Sequence, residues 1–559
     1  MIAKVALKHK VNSDLVFDYN FDRTDKVELY SLVEVEFSFS KTVGVVVALA
    51  DKSRLKCKSI IRKLSNGPVF TPRQFTLART ISEHFLAPFG PTLLSFLPQL
   101  SKYEYAKIEK GISTASANKN PDKNLIIGSY EQRLQYYFQK ITPDRQNIII
   151  LPTIKKIKSA DAKLSHFSPQ TQIFSWHSRM SPARRRVIWQ SCLDGQALTV
   201  LGTRDALFLP FTRLGAVVID EPLSFSYFEE QLPRYNAYYV SRELSRLHHS
   251  TLIVGESIPS TTNYAAVKKG LLALRTLPYK PKIRIFDSLE SEMSSPSRAK
   301  IFRKAFRSKN ILVVGPFSQK HRLVCRDCQT EKSCNKCNSQ IFIQNRCAHC
   351  TTPLTNLFCP KCQSKNIKRV GFSKVDIEKL FPLDLKNSFT FCDLDAVENE
   401  PPVYDFALVP YFDLQYNFPY ISYKEKMVGL VFTLSQITLN GVLVFSQKNR
   451  QLLHELSCGN YQPFVETQLR ERKNDRFPPF TRAVKVICKA DLTKAKKIID
   501  DLTNQLKLPK PAYIIEKKLK WTEALFFLDH SFFEKNKITL KQKTTANLYF
   551  IVDPVDFGL

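Results

Sequence analysis

Glycine is scarce in this chain, which has 16 glycines among 559 residues, about 3% against a usual share of about 7%. Nucleotide-driven motors depend on glycine-rich loops, because backbone N–H groups reach phosphates most closely where no Cβ intervenes. The shortage of glycine therefore argues against a conventional motor of this kind.

Long hydrophobic runs are missing as well. The longest lies near residues 43–50 and stops at Asp51 and Lys52, far short of the roughly 18 residues that a membrane helix needs. The first residues carry charges inside any would-be signal core, which argues against secretion. These features favour a cytoplasmic location.

Acidic residues are too few to balance the basic ones. The chain has 51 Asp and Glu against 83 Lys and Arg, which gives a formal net charge of +32. Such a charge predicts a polyanionic partner, with nucleic acid first and an anionic membrane surface second. Hydrophobic residues make up 43% of the chain, which is enough for packed cores and excludes wholesale disorder.

Cysteine is sparse outside one segment, because eight of the 13 cysteines lie between Cys325 and Cys362. Disulfide-rich secreted domains are short and spread their cysteines throughout, so one dense cluster in a long chain indicates metal binding inside the cell. The eight cysteines form four Cys-x-x-Cys knuckles, each with two thiolates on one tight turn. Four knuckles predict two closed zinc sites, with Fe–S ligation or free thiols as the alternatives.

Two pairings of the knuckles fit this spacing. A sequential pairing would place Cys325, Cys328, Cys334 and Cys337 on one ion, across the short loop 329–333. A nested pairing would give one zinc the outer cysteines Cys325, Cys328, Cys359 and Cys362, and the other zinc the inner cysteines Cys334, Cys337, Cys347 and Cys350. Nesting leaves the inner site a longer loop and closes the insertion at its base. The spacing therefore favours the nested pairing.

The patterning predicts a multidomain α/β protein. Period-two alternation and a β-branched run near the start indicate a small β-rich domain, with a helix after Thr71-Pro72. Further along, short apolar strands alternate with helices, which is typical of buried parallel sheets. The expected units are a β-rich N-terminal domain (1–102), a linker (103–123), a first lobe (124–275), a second lobe (276–324 and 363–457), the cysteine insertion (325–362) and an α+β C-terminal domain (458–559).

Several motifs occur together in collinear order. Residues 202–211 (GTRDALFLPF), 214–221 (LGAVVIDE) and 233–237 (PRYNA) precede the cysteines, and residues 477–480 (FPPF) follow them. Together with residues 16–19 (VFDY), this combination resembles the PriA family of primosomal replication-restart helicases over most of the chain. The resemblance implies two RecA-like lobes, ATP-driven unwinding at replication forks, and the nested pairing of the cysteines.

The motor motifs of that family are degenerate here. Where the phosphate loop should stand, residues 128–133 read GSYEQR, without a lysine, and Glu131 near the lysine position would repel a triphosphate. Only the vestigial acids Asp220 and Glu221 remain of the family's Asp-Glu-Glu-His motif, and residues 435–441 hold no arginine finger. No catalytic residue is therefore expected, binding of ATP and Mg²⁺ is doubtful, and the expected cofactors are two Zn²⁺ ions.

The resemblance also implies surfaces for DNA. The family's first domain captures the 3′ end of a DNA strand, which assigns Phe17, Asp18 and Tyr19 to that pocket, with Lys58 as the basic partner. An aromatic ring can stack on a terminal base, a carboxylate can accept from a terminal hydroxyl, and a lysine can hold phosphate. The family has a glycine near position 38, where this chain has Ser38.

An aromatic-rich loop follows the acidic pair. In the family a loop at this place senses single-stranded DNA, which assigns base stacking to Phe225, Tyr227 and Tyr235. Ordinary core positions are the alternative for these aromatic side chains.

The expected function is replication restart. The chain should bind forked DNA, 3′ ends and single strands, help to reassemble the primosome and reload the replicative helicase. Its expected partners are DNA and replication-restart and primosome proteins, including single-strand-binding protein and the replicative helicase. One alternative is a slow ATP-dependent 3′–5′ helicase whose ATPase is lost in Asp220→Ala. The other is a zinc-dependent adaptor that binds proteins and shows no preference for forks.

Overall fold

The structure is a computed structural model. The residues that it describes are 1–8, 14–109, 111, 121–167, 172–307, 309–315, 320–328, 330–335, 342–343, 345–347, 352–354, 357–371, 374–381, 388–392, 404–416, 421–518 and 520–554. Cys337 and Cys350 lie outside these ranges, as do residues 110 and 112–120 of the expected linker. Within the described part, no helix is long and apolar enough to cross a membrane.

The N-terminal domain is a six-stranded sheet in the order β5-β2-β1-β4-β3-β6, packed on helices. Its elements are β1 (Ile2–Leu7), β2 (Val16–Asn20), β3 (Leu32–Phe37), β4 (Ser40–Ala50), β5 (Lys58–Ser59), β6 (Arg62–Lys63), α1 (Pro72–His84), α2 (Phe89–Leu94) and α3 (Lys102–Ala106), with a 3₁₀ turn at Arg23–Asp25. The predicted helix after Pro72 is confirmed. It begins with a capping box, in which the Thr71 side chain accepts from the Gln74 N–H and the Gln74 side chain accepts from the Thr71 N–H.

The first lobe is a parallel seven-stranded sheet in the order β13-β7-β12-β11-β8-β10-β9. Its elements are β7 (Lys123–Ile127), α4 (Tyr130–Lys140), β8 (Gln146–Ile150), α5 (Ile154–Phe167), β9 (Ile173–Trp176), α6 (Pro182–Leu193), β10 (Leu198–Gly202), β11 (Leu214–Asp220), α7 (Ala237–His248), β12 (Thr251–Glu256), α8 (Thr261–Lys268) and β13 (Ala273–Thr276), with 3₁₀ turns at Arg204–Phe208 and Phe225–Tyr227. The central strands β8, β10 and β11 are buried along their whole length. This explains why the sequence shows continuous apolar runs there rather than alternation.

The second lobe is a parallel five-stranded sheet in the order β14-β22-β21-β15-β20, interrupted by a small four-stranded antiparallel sheet in the cysteine insertion. The elements of the lobe are β14 (Ile283–Phe286), α9 (Leu289–Ser294), α10 (Pro296–Phe306), β15 (Ile311–Val314), α11 (Lys374–Leu380), β20 (Phe389–Cys392), β21 (Phe406–Val409), α12 (Phe412–Tyr416), α13 (Tyr423–Gln436), β22 (Val442–Phe445), α14 (Arg450–Ser457) and α15 (Gln462–Asn474). The insertion holds β16 (Lys320–Cys325), β17 (Phe342–Ile343), β18 (Arg346–Cys347) and β19 (Ile367–Gly371). The expected multidomain α/β class with two parallel-sheet lobes is thus confirmed.

The C-terminal domain is a four-stranded antiparallel sheet in the order β24-β25-β23-β26 with two helices. Its elements are β23 (Arg482–Cys488), α16 (Leu492–Leu506), β24 (Tyr513–Lys518), β25 (Trp521–Leu528), α17 (His530–Gln542) and β26 (Leu548–Val552).

Two expected boundaries differ from the structure. Helix α15 was expected in the C-terminal domain, but its Phe464 and Val465 are buried in the core of the second lobe. The first part of the expected linker is also ordered. There α3 contacts α6, and Ile108 is buried in the core that the first domain shares with the first lobe. In both places apolar contact with the neighbouring unit decides the boundary, and a polar sequence hides that contact.

The first domain, the first lobe and the C-terminal domain meet around one buried histidine. The ring of His84 on α1 stacks on Tyr239 of α7, with ring centroids 3.6 Å apart. Arg482 of β23 places its Nη1 atom 3.0 Å from His84 Nε2. Lys541 of α17 donates to Asp14 of the first domain at 2.6 Å. These contacts join the two terminal domains to each other and the first domain to the first lobe.

Candidate nucleotide cleft and DNA-contact surfaces

The turn between β7 and α4 lies at the carboxyl ends of the parallel strands, where α/β proteins commonly bind ligands. A phosphate at this place would be held by free N–H groups at the helix N-terminus. Here the chain's own atoms accept from those groups. The Ser129 N–H donates to Gln132 Oε1 at 3.0 Å, and the Gln132 N–H donates to Ser129 Oγ at 3.3 Å. The Tyr130 N–H donates to Gln436 Oε1 at 2.9 Å, so the helix N-terminus is capped from within.

Arg133 extends from α4 to the two vestigial acids. Its side chain is 1% exposed, and its Nε atom donates to Asp220 Oδ1 at 2.8 Å. Its Nη2 atom lies 2.8 Å from Glu221 Oε1, and its Nη1 atom donates to the Gly128 carbonyl at 2.6 Å. The acids that the family motif assigns to Mg²⁺ and water therefore bind a guanidinium group of the same chain.

Asp220 is also bound by Tyr137. The Tyr137 hydroxyl donates to Asp220 Oδ1 at 2.6 Å, and the Asp220 side chain is fully buried. Burial favours the protonated carboxyl, but the Arg133 charge outweighs it and holds the pKa of Asp220 below its ordinary value. Gly255 makes room for this contact, because a Cβ there would lie 1.5 Å from the Tyr137 hydroxyl. Asp220 is thus an ionised carboxylate with its charge compensated inside the fold.

Glu221 is held by Ser257, the residue directly after β12. The Ser257 N–H and hydroxyl donate to Glu221 Oε1 at 3.0 Å and 2.6 Å. The Glu221 backbone adopts the left-handed conformation with φ 51°, which turns the chain directly after β11. Glu131, which was expected near a lysine position, instead points to solvent and pairs with Lys163 at 2.7 Å. Arg133, rather than Glu131, is therefore the residue that fills the site.

The two lobes are joined across the cleft without a nucleotide. Gln436, in the stretch where the family carries its arginine finger, accepts from the Tyr130 N–H and donates to Ser257 Oγ at 3.3 Å. Nearby, Glu425 of α13 accepts from the Thr261 N–H at the start of α8 at 3.1 Å. The neutral side chain of Gln436 thus links the phosphate-loop position directly to the second lobe.

A small cavity remains between the lobes. It has a volume of about 210 Å³, and its lining includes Lys156, Phe225, Glu256 and Lys426. Pockets for drug-sized ligands usually measure roughly 300–1,000 Å³. Burial, with a smaller contribution from the Glu221 carboxylate, raises the pKa of Glu256 to about 8. At neutral pH the cavity therefore carries a protonated carboxyl beside two lysines.

The aromatic-rich loop is mostly core. Tyr227 and Tyr235 are 1% and 2% exposed. The Tyr227 hydroxyl donates to the carbonyls of Ile150 and Asp220, at 3.1 Å and 2.8 Å. Both rings are enclosed in this conformation, as the alternative of ordinary core positions expects, and their assignment to base stacking stays a prediction. Phe225 is 40% exposed, and the centre of its ring lies 3.3 Å from Lys426 Nζ. Of the three assigned aromatic residues, only Phe225 therefore exposes part of its ring to solvent.

The residues assigned to the 3′-end pocket lie together on the edge of the first sheet. Strands β2 and β5 pair so that Tyr19 lies opposite Lys58. The ring of Phe17 packs edge-on against Phe37 with centroids 4.7 Å apart, and Asp18 accepts from the Ser53 hydroxyl at 2.6 Å.

Tyr19 and Lys58 converge on Glu36. The Tyr19 ring is buried, and its hydroxyl donates to the Glu36 carbonyl at 3.0 Å. Lys58 pairs with the Glu36 carboxylate at 2.7 Å, and its side chain remains 55% exposed. The structure thus brings Phe17, Tyr19 and Lys58 to one face of the sheet, and Lys58 is the most exposed of these three. Asp18 lies on the other face of β2, where Lys4 and Ser53 contact it. The roles of the four assigned residues in DNA binding stay predictions.

Four cysteines of the insertion form a compact cluster. The Sγ atoms of Cys325, Cys328, Cys359 and Cys362 all lie within 4.8 Å of one another. Cys325 and Cys362 are 3.5 Å apart, and Cys328 and Cys359 are 3.4 Å apart. Four sulfur donors at these separations fit a single tetrahedral metal ion, whose Zn–S distances are about 2.3 Å. Cys334 and Cys347 are buried in a neighbouring small core with Leu323 and Phe342.

Two parallel-sheet lobes face each other across a cleft, with a β-rich domain before them and an α+β domain after them. The first domain matches the family model of the PriA 3′DNA-binding domain (3′BD) over residues 4–98. The chain is 22% identical to the Replication restart protein PriA of Borreliella burgdorferi, with 92% of each chain covered. It is 23% identical to the protein of the same name from Helicobacter pylori J99, with 81% of each chain covered. These matches confirm the resemblance to PriA.

Solved structures overlap with this chain less closely. The structure of RecG bound to a three-way DNA junction shares 12% identity at a TM-score of 0.35, with 73% of this chain and 52% of that chain covered. The helicase Lhr of Mycobacterium smegmatis, bound to ssDNA and AMP-PNP, shares 9% identity at a TM-score of 0.31, with 62% and 46% covered. Overlaps this low carry no argument about function.

Sequence reasoning missed three residues of the cleft: Arg133, Tyr137 and Gln436. Arg133 and Tyr137 stand one turn apart on the same face of α4, spaced at i and i+4. An arginine on the same helix face as apolar positions such as Tyr136 and Tyr137 is a signal for a buried ion pair. No comparable signal marks Gln436, because its partners come from the other lobe.

Proposed function

We propose that this chain is a PriA-like replication restart protein without an active helicase motor. It binds branched DNA near a 3′ end and serves as a platform on which the primosome is reassembled and the replicative helicase is reloaded. The observation that carries the loss of the motor is the Arg133 guanidinium between Asp220 and Glu221.

Nucleotide binding would require Arg133 to leave this position. Removing one partner from a buried ion pair costs about 3–5 kcal/mol, because the remaining charge is left uncompensated. Asp220 would then need Mg²⁺ as its new partner, yet it would keep its bond to Tyr137. The chain offers no phosphate-loop lysine and no free N–H at Ser129, Tyr130 or Gln132 to favour the exchange. The arrangement in which Arg133 occupies the site is therefore more stable than one with a bound nucleotide.

Hydrolysis is disfavoured for a second reason. An arginine finger contributes about 10³–10⁵ in rate by compensating charge in the transition state. Gln436 stands in the corresponding stretch, and it hydrogen-bonds to Tyr130 and Ser257 with a neutral amide. The described cleft thus lacks both the groups that would bind a triphosphate and the arginine that would stabilise the transition state of hydrolysis.

DNA binding is supported by the first domain and by the charge of the chain. The match to a 3′DNA-binding domain covers residues 4–98, and the four assigned pocket residues lie on its neighbouring strands β2 and β5. The net charge of +32 favours phosphate contacts elsewhere on the surface, which bind DNA without regard to sequence and weaken with salt.

The test measures fork binding and ATP hydrolysis on the pure full-length chain. We expect a fork with a 3′ hydroxyl at its junction to bind more tightly than a matched linear duplex at about 150 mM salt. Phosphate release should stay at background with and without the fork. Fork-stimulated hydrolysis that disappears in Asp220→Ala would establish the slow helicase instead. Equal binding of fork and duplex would favour the protein-binding adaptor.

We propose that the cysteine insertion holds two zinc ions in the nested pairing, as a closed surface for DNA or protein partners. Wild-type protein should contain two zinc ions per chain by elemental analysis. The double substitution Cys328→Ala and Cys362→Ala affects a single ion in the nested pairing, so one zinc should remain. In the sequential pairing the same two residues belong to different ions, and the loss of both would contradict the proposal.

A further inference from the structure

The hairpin between β3 and β4 has an unusual turn. Phe37 and Ser40 pair directly, so the loop consists of Ser38 and Phe39 alone. Both residues adopt the left-handed conformation, with φ 45° and 64°. Two-residue turns of this kind strongly favour Asn-Gly, because their φ angles are positive at both positions. A bulky phenylalanine in this conformation is an outlier that the fold itself does not require.

The Phe39 ring is turned entirely to solvent. It is 98% exposed, which is the highest exposure among the large hydrophobic side chains of the described residues. Lys58 places its Nζ atom 5.7 Å from the centre of this ring, which is the range of a cation–π contact. A strained turn that exposes an apolar ring beside a cation destabilises the free protein. Strain of this sort is typical of positions that act on a ligand.

The tip of the hairpin lies at the rim of the 3′-end pocket. Lys58 is shared between the two, because it lies opposite Tyr19 in the sheet and also approaches Phe39. Phe37, next to the tip, packs against Phe17 of the pocket. A strand end held near Phe17 and Lys58 would therefore present its last base to the exposed ring.

We propose that Phe39 stacks on the terminal base of the strand whose 3′ end the first domain holds, with Lys58 near the adjoining phosphate. The inference rests on the proposed function, since it assumes that the domain binds a 3′ end. Stacking suits this position because every base has a flat face, so contact needs no sequence preference.

The experiment uses the full-length chain and a fork whose 3′-terminal nucleotide is 2-aminopurine, a base whose fluorescence is quenched by stacking. We expect wild-type protein to quench this signal on binding. Phe39→Ala should abolish the quenching and weaken binding of the 3′-ended fork roughly 5- to 150-fold, the range for the loss of one stacked base. Phe39→Trp should retain both the quenching and the affinity.

Two further variants separate stacking from general effects. Tyr103→Ala is the matched control, because Tyr103 is also exposed and carries a lysine, Lys107, at 3.8 Å over its ring. It should leave the quenching intact. Phe39→Gly should lose the quenching but raise the melting temperature, because glycine adopts the left-handed turn without strain. Binding and stability would then change in opposite directions.

The outcomes distinguish this inference from the proposed function. If wild-type protein binds the fork but Phe39→Ala quenches the terminal base as strongly, the inference is wrong and the proposed function stands. If Tyr103→Ala loses as much quenching as Phe39→Ala, the effect does not belong to the hairpin tip and the inference is again wrong. If wild-type protein shows no preference for the fork, both are overturned.

Discussion

Basic and aromatic side chains are buried in the cleft between the lobes but exposed at the rim of the first sheet. In the cleft Arg133 is buried and bound on both sides by carboxylates, and Tyr227 is enclosed and hydrogen-bonded. At the rim Lys58 is 55% exposed and Phe39 is 98% exposed. The cleft satisfies its polar groups internally, whereas the rim leaves an aromatic ring and a cation facing solvent. The difference supports the proposal that the rim, rather than the cleft, binds a ligand from outside.

The largest effect is expected from Arg133→Met, which removes the cation of the cleft and leaves Asp220 and Glu221 without compensation. The first lobe should lose about 3–5 kcal/mol of stability, the cost of breaking a buried ion pair. Denaturant unfolding followed by tryptophan fluorescence reports on this lobe, because Trp176 and Trp189 both lie in it.

A surface arginine of the same lobe provides the control for that substitution. Arg246 pairs with Glu243 at 2.8 Å, and the Arg246 side chain is 58% exposed. Arg246→Met should cost at most about 1 kcal/mol, as is usual for exposed pairs. Equal losses of unfolding free energy in the two variants would contradict the account, because the buried pairs of Arg133 would then contribute no more stability than an exposed pair.

Part of this contrast could be predicted from the sequence and part could not. Continuous apolar runs mark buried parallel strands, and Cys-x-x-Cys knuckles mark metal sites, because both signals are local. The pairing of Arg133 with Asp220 joins residues 87 positions apart, and no local pattern reports such a distance. Exposure is equally hidden, since Tyr227 and Phe225 stand two residues apart and only the fold buries the first of them.

The next effect concerns pH and Glu256 in the cleft. The folded protein holds the pKa of this carboxyl at about 8, against an ordinary value of 4.5. Between these pH values the folded state keeps a proton that the unfolded state has released, so raising the pH favours unfolding. The stability of the first lobe should fall by about 1.4 kcal/mol per pH unit between about pH 5 and pH 8 from this group alone.

Glu256→Gln should remove this slope, since the amide does not titrate. The free energies of unfolding of the variant and the wild type are measured with denaturant at pH 6 and pH 8. The difference between the two proteins is then compared at the two pH values. Glu131→Gln is the matched control, because the Glu131 side chain is 74% exposed. If the stability of Glu256→Gln falls with pH as steeply as that of wild type, Glu256 is already ionised in the folded cleft.

The smallest effect concerns Asp18 at the rim. A fork ending in a 3′ hydroxyl should bind about tenfold more tightly than the same fork with a 3′ phosphate, because a carboxylate accepts from a hydroxyl and repels phosphate. Asp18→Ala should erase the preference with little change in overall affinity, which phosphate contacts dominate. Asp51→Ala, at an exposed carboxylate of the same domain, should keep it. Equal binding of both forks by wild type would remove Asp18 from the pocket.

The most direct test of the filled cleft is equilibrium binding of Mg²⁺-ATP to the wild-type chain, measured by titration calorimetry. We expect no saturable binding up to about 1 mM nucleotide, a limit that corresponds to a binding free energy weaker than about 4 kcal/mol. Asp220→Ala should give the same flat titration. Saturable binding by wild type that is lost in Asp220→Ala would contradict the account, because it would show that Arg133 gives up the two acids to a metal-bound nucleotide.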